Sequence, residues 1–166
     1  MRTLLERKIT KSDPKPFRLA KSMFQSCMNK DIIEERGVAP LINVLKAMGG
    51  WPLLEGSSWK KDRFKWYEMV YRFRDMGYSV DYLVDFSVTT NLKNSSWRVL
   101  DLDQPSLGMA REYLMKGLDD EDVKAYYNYM TDVAQLLGAD RREAEIQMLE
   151  TLEFEMRLAK ISIPRY

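Results

Sequence analysis

Histidine is absent from all 166 residues of this chain. Its absence excludes Ser-His-Asp and Cys-His nucleophilic sites, histidine general bases, and zinc sites of the His-x-x-x-His type. Any chemistry of the chain is therefore limited to carboxylates, lysine, tyrosine and backbone groups. We expect neither a catalytic residue nor a metal or cofactor site within this sequence.

Cysteine, long apolar runs and net charge are also scarce. The single cysteine, Cys27, excludes an internal disulfide and a cysteine metal cluster. No apolar run approaches the roughly 18 residues that a membrane-spanning helix needs, and the N-terminal residues lack the apolar stretch of a signal peptide. A net charge of +1 offers no general attraction for nucleic acid or an anionic membrane, so we expect no nucleic-acid partner.

The rest of the composition is that of a globular protein, with 45% apolar and 31% charged residues. The length predicts one domain over residues 1–166, with residues 1–13 expected to be flexible. Apolar residues at helical spacing predict about five helices. One begins after Pro16 and frays near Asn29, one has Pro40 at its first position, and one runs from Trp59 to Met76 with Ser57 or Ser58 as its cap. The last two follow the acidic residues 119–122 and Asp140, and should pack as an antiparallel pair.

A change of period marks the middle of the chain. Val84, Phe86 and Val88 alternate with polar residues, and a polar loop separates them from a second β-prone run that begins at Trp97. This pattern predicts one antiparallel β-hairpin, which should pack on the helices or pair elsewhere because a lone hairpin is marginally stable. The predicted fold class is mainly α, with about five helices and one hairpin.

Three charged segments invite a functional interpretation, and each has a structural alternative that we favour. The acidic residues 119–122 suit the positive end of a helix dipole better than a metal site, because neighbouring residues point in different directions. Glu150, Glu153 and Glu155 are expected on a solvated face, with Glu153 paired to Arg157, rather than in acid-base catalysis. The aromatic and basic residues 60–67 are expected to serve the core rather than to bind single-stranded nucleic acid.

Three further features stay open on the residues alone. The loop Asp103–Tyr113 reads either as a ligand loop or as a turn that leaves the hairpin, and we favour the turn. Asn94-Ser95-Ser96 is an N-glycosylation sequon in the predicted hairpin loop, although such triplets also occur by chance. Cys27 is either a buried free thiol or half of a disulfide whose partner lies outside this chain.

Several motifs combine along the chain. Four of them lie in the first third of the chain: Ser26-Cys27-Met28-Asn29, Ile33-Glu34-x-Arg36-Gly37, Pro40-Leu41 and Gly50-Trp51-Pro52. The longest follows the hairpin and reads Leu102-Asp103-Gln104-Pro105-Ser106-Leu107-Gly108-Met109-x-Arg111-Glu112-Tyr113. The last, in the predicted final helix, is Leu152-Glu153-x-Glu155-x-x-Leu158-Ala159. Together they resemble the N-terminal region of neprilysin-like zinc metallopeptidases, which include neprilysin and endothelin-converting enzyme. The resemblance runs from about Pro14 to Ile163.

The resemblance implies an extracellular or membrane-anchored endopeptidase that cleaves small peptides, with zinc held by histidine motifs far C-terminal to this region. This chain would then contribute no catalytic residue and would help to line or cover the active-site chamber. Its partners would be the rest of the peptidase and, in the full enzyme, peptide substrates. The resemblance also implies structural roles for the motif residues, a disulfide from Cys27 to a missing segment, and a glycan on Asn94. The motif residues are Asp103, Gln104, Pro105, Gly108 and Arg111.

Two classes of function follow. In the first, the chain is a non-catalytic segment of such a peptidase and should expose an apolar face where the rest of the enzyme packs. In the second, it is a stand-alone helical interaction module or a truncated regulatory homologue without peptidase activity.

Overall fold

The computed structural model describes residues 2–164, and within them it contains nine α-helices and one two-stranded antiparallel sheet. The helices are α1 (Arg2–Leu5), α2 (Lys15–Met28), α3 (Lys30–Arg36), α4 (Ala39–Ala47), α5 (Pro52–Glu55), α6 (Trp66–Asp75), α7 (Arg111–Leu114), α8 (Glu121–Leu136) and α9 (Arg141–Ile161). The strands are β1 (Asp85–Thr90) and β2 (Arg98–Asp103). The predicted mainly α fold with one hairpin is confirmed; the short helices α1, α3, α5 and α7 are additions to the five predicted helices.

The chain divides into two compact units, residues 1–43 and 44–166, with the boundary inside α4. In the described part of the first unit, Lys21 is the one buried residue. Its Nζ donates to Asp13 Oδ2 at 2.7 Å and to the Lys8 carbonyl at 3.3 Å, so α2 holds the segment before it. The single-domain organisation and the flexibility of residues 1–13 both stay predictions.

The start of α2 differs from the prediction. The helix begins at Lys15, so that Pro14 occupies the cap position and Pro16 lies in the first turn. Proline is accepted there because the first-turn N–H groups have no partner within a helix, which removes the reason for placing the start after Pro16. The predicted break at Asn29 is confirmed, since its Oδ1 accepts from the Ile32 N–H at 3.3 Å and caps α3.

In the second unit, the antiparallel pair of α8 and α9 forms as predicted because both helices are capped as the sequence indicates. Asp120 Oδ1 accepts from the N–H groups of Asp122 and Val123 at the start of α8. Gly138, at φ 106°, reverses the chain, and the Ala139 N–H reaches the Ala134 carbonyl at 3.0 Å. Asp140 then caps α9 by accepting from the Glu143 N–H at 3.1 Å.

The core of the second unit consists of two clusters along this helix pair. Buried side chains near the helix turn are Leu53 of α5 with Ala134, Ala144 and Met148; those at the far end are Leu114 of α7 with Val123, Leu152 and Ala159. Tyr127 and Met130 pack against both clusters and connect them. α9 therefore contributes to every part of this core, with α5 at its beginning and α7 near its end.

The predicted helix from Trp59 to Met76 is wrong over its first seven residues. The Ser58 hydroxyl donates to the Glu55 carbonyl at 2.6 Å and closes a turn of 3-10 helix at Gly56–Ser58, so it does not cap a following helix. A second 3-10 turn covers Lys61–Arg63, and α6 begins only at Trp66. Local side chain to backbone bonding, which competes with helix formation, explains the difference.

The hairpin has one apolar and one polar face. The register pairs Phe86 with Leu102 and Val88 with Leu100, which places all four on the same side of the sheet. Asp85, Ser87 and Thr89 lie on the other side, opposite Asp103, Asp101 and Val99. At the tip, Arg98 donates to the Thr90 hydroxyl at 2.8 Å.

We predict that Leu152→Ala lowers the free energy of unfolding of the chain by about 2–5 kcal/mol, because Leu152 is fully buried and its truncation leaves a cavity. Leu136→Ala on the exposed side of α8 is the control and should change it by less than about 0.5 kcal/mol. Urea unfolding followed by far-UV circular dichroism measures both. Equal effects of the two substitutions would contradict this description of the core.

Candidate functional site

The motif loop, defined here as residues 103–113, runs from the end of β2 onto the far end of α9. Its first anchor is the side-chain amide of Gln104. Gln104 Nε2 donates to the Ile163 carbonyl at 2.8 Å, and Gln104 Oε1 accepts from the Ile163 N–H at 2.7 Å. The side chain thus satisfies both backbone polar groups of Ile163, as a neighbouring strand would. Asp103 Oδ1 accepts from the Gln104 N–H at 2.7 Å and orders the turn before it.

Arg111 provides the second anchor at the same place. Its Nε donates to the Ser162 carbonyl at 2.9 Å, while the Ser162 hydroxyl donates to the Leu158 carbonyl at 2.8 Å. The last carbonyls of a helix have no partner within it, and a cation there is favoured by the helix dipole. Arg111 and Gln104 therefore hold the two residues that follow α9 and fix the direction in which the chain leaves it.

Gly108 makes the closest approach of the loop to the helix pair. Its N–H donates to Glu155 Oε1, and Glu155 Oε2 accepts from the Tyr126 hydroxyl at 3.0 Å. A Cβ atom on residue 108 would overlap the Tyr126 hydroxyl, so the approach requires glycine. One carboxylate of α9 thereby joins the loop to α8.

Burial, and then the adjacent Glu155 carboxylate, raise the pKa of the Tyr126 phenol above its ordinary value. The neutral phenol is the form that can donate to Glu155, so both causes favour it. Tyr126 therefore serves as a hydrogen-bond donor that holds Glu155 in place, and not as a base near neutral pH.

The remaining motif residues pack or line a cleft. Leu107 and Met109 pack against the core cluster that contains Leu114 and Leu152. Pro105 lies on the wall of a cleft of about 290 Å³ between the loop and Ser162–Ile163. The Ser106 N–H donates to the Asp81 carbonyl at 2.9 Å. The polar groups of the loop bond mainly to backbone and to Glu155, so the arrangement positions chain segments and is consistent with the turn interpretation.

The hypothesis of a fully solvated glutamate face is wrong for Glu155. Glu155 lies between Leu152 and Ala159 on the side of α9 that faces the core, where the loop and Tyr126 reach it. Its position three residues after Leu152 is the signal that could have indicated this, because residues three and four apart share a helix face. The acidic residues at the start of α8 do act at a helix terminus, as expected, through the Asp120 cap.

A second feature is an apolar groove between α6 and the apolar face of the hairpin. Its volume is about 300 Å³, and its walls include Trp66, Val70, Phe73, Tyr82, Phe86 and Leu102. The expectation that the aromatic residues around 64–67 serve the core is wrong, because Phe64, Trp66 and Tyr67 are all exposed. Val88, Leu100 and Leu102 on the hairpin are exposed as well, so the hairpin buries little of its apolar face.

Comparison with known proteins assigns the chain to a family. The family model described as peptidase family M13, in its N-terminal part, matches residues 1–166. The chain belongs to peptidase family M13. It is 49% identical to Neprilysin-2 of Drosophila melanogaster over 154 residues, which are 92% of the chain and 20% of that protein.

Two further relatives belong to the same group of zinc metallopeptidases. Neprilysin-21 of Caenorhabditis elegans is 31% identical over 163 residues, covering 98% of the chain and 21% of the relative. Human endothelin-converting enzyme 1 is 33% identical over 151 residues, covering 89% and 19%. The M13 chain therefore spans about a fifth of the length of the curated relatives it matches.

The residues that the structure describes do not fit a zinc site. The M13 segment has no histidine, and within residues 2–164 no group of three or more carboxylate or thiol side chains is placed to hold a metal ion. The motif loop, which carries the strongest resemblance, has two carboxylates, Asp103 and Glu112, and the neighbouring carboxylate of Glu155 on α9 already accepts two hydrogen bonds.

The other two predicted positions lie on the surface. Cys27 is a free, exposed thiol on α2, so the alternative of a buried thiol is wrong, and its disulfide to a segment outside the chain stays a prediction. Asn94 lies in the exposed loop between β1 and β2.

We predict that Gly108→Ala destabilises the chain by about 1–3 kcal/mol, because the added methyl group displaces the Tyr126 hydroxyl and breaks the Glu155 contacts. Gly56→Ala is a useful comparison, since a Cβ there meets no atom within 4 Å and the cost arises only from its positive φ. Thermal and urea unfolding measure both. If Gly108→Ala left the free energy of unfolding unchanged, residue 108 could not lie as close to the Tyr126 hydroxyl as the structure places it.

A pH dependence follows from the raised pKa of Tyr126. Above an ordinary phenol pKa of about 10, the unfolded chain releases this proton while the folded chain retains it, so the free energy of unfolding decreases as the pH rises. Tyr126→Phe should be less stable than the wild type at neutral pH by about 1 kcal/mol and should lose less stability between pH 9 and pH 11. Urea unfolding across this range tests it, and parallel pH curves for the two proteins would contradict it.

Proposed function

We propose that this chain is a non-catalytic part of the N-terminal region of a neprilysin-like zinc metalloendopeptidase, where it lines or covers the active-site chamber. The observation that carries the proposal is the uncovered apolar surface of α6 and the hairpin, on a chain that spans about a fifth of its relatives. Extended apolar patches on a soluble domain mark surfaces that another part of a protein covers.

The hairpin supports this proposal most directly. A two-stranded sheet is marginally stable by itself and needs a third strand or a helix against its apolar face. Here Leu100 and Leu102 leave most of their surface to solvent. The rest of the peptidase is the occupant that the resemblance offers for this face. In the complete enzyme, zinc and the residues that act on peptide substrates would come from that other part.

The proposed setting is extracellular, either secreted or as the ectodomain of a membrane-anchored protein. No helix within residues 2–164 combines the length and the apolar character needed to cross a membrane. The setting rests on family membership, and the surface position of Cys27 suits a disulfide to another segment.

A second candidate is a stand-alone interaction module or truncated regulatory homologue. The groove between α6 and the hairpin favours it, because about 300 Å³ of apolar space could accept an apolar side chain of a partner. The two candidates differ in what covers Leu102: another part of the same enzyme, or a separate protein.

We predict that Leu102 becomes buried when the rest of a peptidase is present. The test replaces the matching 154-residue segment of Drosophila Neprilysin-2 with this chain and compares Leu102→Gln in the chimera and in the isolated chain. In the isolated chain the substitution should change the free energy of unfolding by less than about 0.5 kcal/mol, because the side chain is 73% exposed. In the chimera it should cost about 1.5–3 kcal/mol.

The matched control is Leu92→Gln. Leu92 is a fully exposed leucine at the tip of the same hairpin, and it should tolerate the change in both proteins. Equal effects of Leu102→Gln in the chimera and the isolated chain would show that the rest of the peptidase does not cover this face, and would favour the interaction module.

The purified chain alone should neither cleave a short quenched-fluorescence peptide nor bind zinc stoichiometrically, because it has no histidine and its residues 2–164 do not form a zinc site. Zinc titration by calorimetry and a cleavage assay with added zinc measure this. Turnover that persists through repeated purification would overturn the non-catalytic assignment.

A further inference from the structure

The basic segment, defined here as residues 60–65, carries four cations and one carboxylate, Asp62. In one continuous helix these cations would point in different directions, because neighbouring positions lie on different faces. The structure instead has a 3-10 turn at Lys61–Arg63, after which Phe64 and Lys65 are extended. The break before α6 therefore changes which of the cations can act together.

A cleft of about 280 Å³ collects cations from this segment and from α6. Lys60, Arg63 and Lys65 line it together with Arg72. Lys65 and Arg72 lie on one side of α6, since residues seven apart share a helix face. Arg72 Nη1 lies 3.5 Å from the place that a Cβ on Gly49 would occupy, so the guanidinium reaches the backbone that follows α4. All four cationic side chains are exposed to solvent.

Two carboxylates also line this cleft, and they leave most of its cations without a partner. Glu68 pairs with Lys65 at 3.3 Å. Glu55 packs against the backbone of Gly50, where a Cβ atom would overlap its carboxylate. Within residues 2–164, the other three cations have no carboxylate oxygen within 4.0 Å. The walls therefore carry an excess of positive charge, and a concave surface of one sign concentrates the field.

The aromatic rings beside the cleft are not arranged as a stacking platform. Trp59 and Phe64 pack against each other, with ring centroids 5.4 Å apart and an angle of 48° between their planes. The Trp59 indole N–H donates to the Gly49 carbonyl at 3.1 Å, which fixes the orientation of that ring. Proteins that bind single-stranded nucleic acid stack its bases on free aromatic faces. The cleft therefore favours a ligand that is recognised by its negative charges rather than by its bases.

We propose that this cleft binds a sulfate group of a sulfated polysaccharide. The guanidinium groups of Arg63 and Arg72 are the principal donors, because a guanidinium matches an oxyanion with two parallel hydrogen bonds. Lys60 and Lys65 add point charges. Short segments rich in lysine and arginine are typical of surfaces that bind heparin or nucleic acid. The choice of a sulfated polysaccharide rests on the extracellular setting proposed above, and the paired aromatic rings support it.

The cleft and the apolar groove lie on different sides of α6. Lys65 and Arg72 line the cleft, whereas Trp66, Val70 and Phe73 line the groove. Covering the groove with the rest of a peptidase therefore does not require the cleft to be covered. A sulfated chain in the cleft is compatible with the packing proposed for the hairpin.

The test is calorimetric titration of the 166-residue chain with a heparin octasaccharide, its fully desulfated form, and an oligothymidylate of similar length. The sulfated sugar should bind, and its affinity should fall as the salt concentration rises. The desulfated sugar keeps its carboxylates but loses the proposed ligand, so it should bind at least about tenfold more weakly. The oligothymidylate should also bind at least about tenfold more weakly, because no free ring faces receive its bases.

Substitutions locate the binding site within the basic surface. Arg72→Gln and Arg63→Gln should each lower the affinity for the octasaccharide about tenfold, because each removes charged hydrogen bonds to the sulfate. Glu68→Gln should raise it about twofold, since Lys65 loses its carboxylate partner. The matched control is Lys61→Gln, at an exposed cation of the same 3-10 turn that does not line the cleft; it should cost less than about twofold. Circular dichroism verifies that each variant is folded.

Equal losses for Lys61→Gln and Arg72→Gln would show a general electrostatic attraction and would overturn the cleft as the site. Equal affinity for the oligothymidylate or for the desulfated sugar would overturn sulfate as the ligand, and an octasaccharide that does not bind would overturn the whole proposal. Titration of the isolated chain does not depend on whether the rest of a peptidase covers Leu102. This experiment and the chimera test therefore fail independently.

Discussion

The burial of one face of α9 is the constraint on which the second unit depends. Ala144 and Met148 meet α5 and the end of α8, while Leu152 and Ala159 meet α7 and the start of α8. Glu155 lies on the same face, where its carboxylate accepts the Gly108 N–H and the Tyr126 hydroxyl. The apolar face of α9, together with the Glu155 carboxylate that accepts one hydrogen bond on each oxygen, therefore determines where the loop from the hairpin packs.

The sequence predicts α8 and α9 well because local and tertiary preferences agree there. Asp120 and Asp140 cap the helices, Gly138 supports the reversal, and the apolar spacing matches the buried face. Between Ser57 and Lys65 the preferences conflict, since the Ser58 hydroxyl bonds backwards to the Glu55 carbonyl and this local turn competes with an earlier start of α6. Apolar periodicity could not reveal this, because it is equally compatible with an earlier start.

The candidate site, too, has features that the sequence predicts and features that it does not. The composition predicts the absence of catalytic histidine chemistry, and the motif segment 103–113 is identified from its residues. The partners of that segment are less accessible to sequence reasoning, because Gln104 and Arg111 bond to the backbone of Ile163 and Ser162, and any residue type can offer a backbone carbonyl. Exposure of α6 and the hairpin face likewise depends on which neighbours are present, and the spacing of Trp66 and Val70 carries no information about them.

The pairing of Gln104 with Ile163 has a mechanical implication. The two residues are separated by 59 positions, so their contact closes a large non-covalent ring that contains the whole helix pair. Chain entropy opposes the closure of such a ring, which favours its formation after the helices have docked and its opening before they separate. The chain enters this ring at Gln104 and leaves it at Ile163, and the two residues are in contact. Insertions or deletions between them therefore need not move the chain before Gln104 or after Ile163.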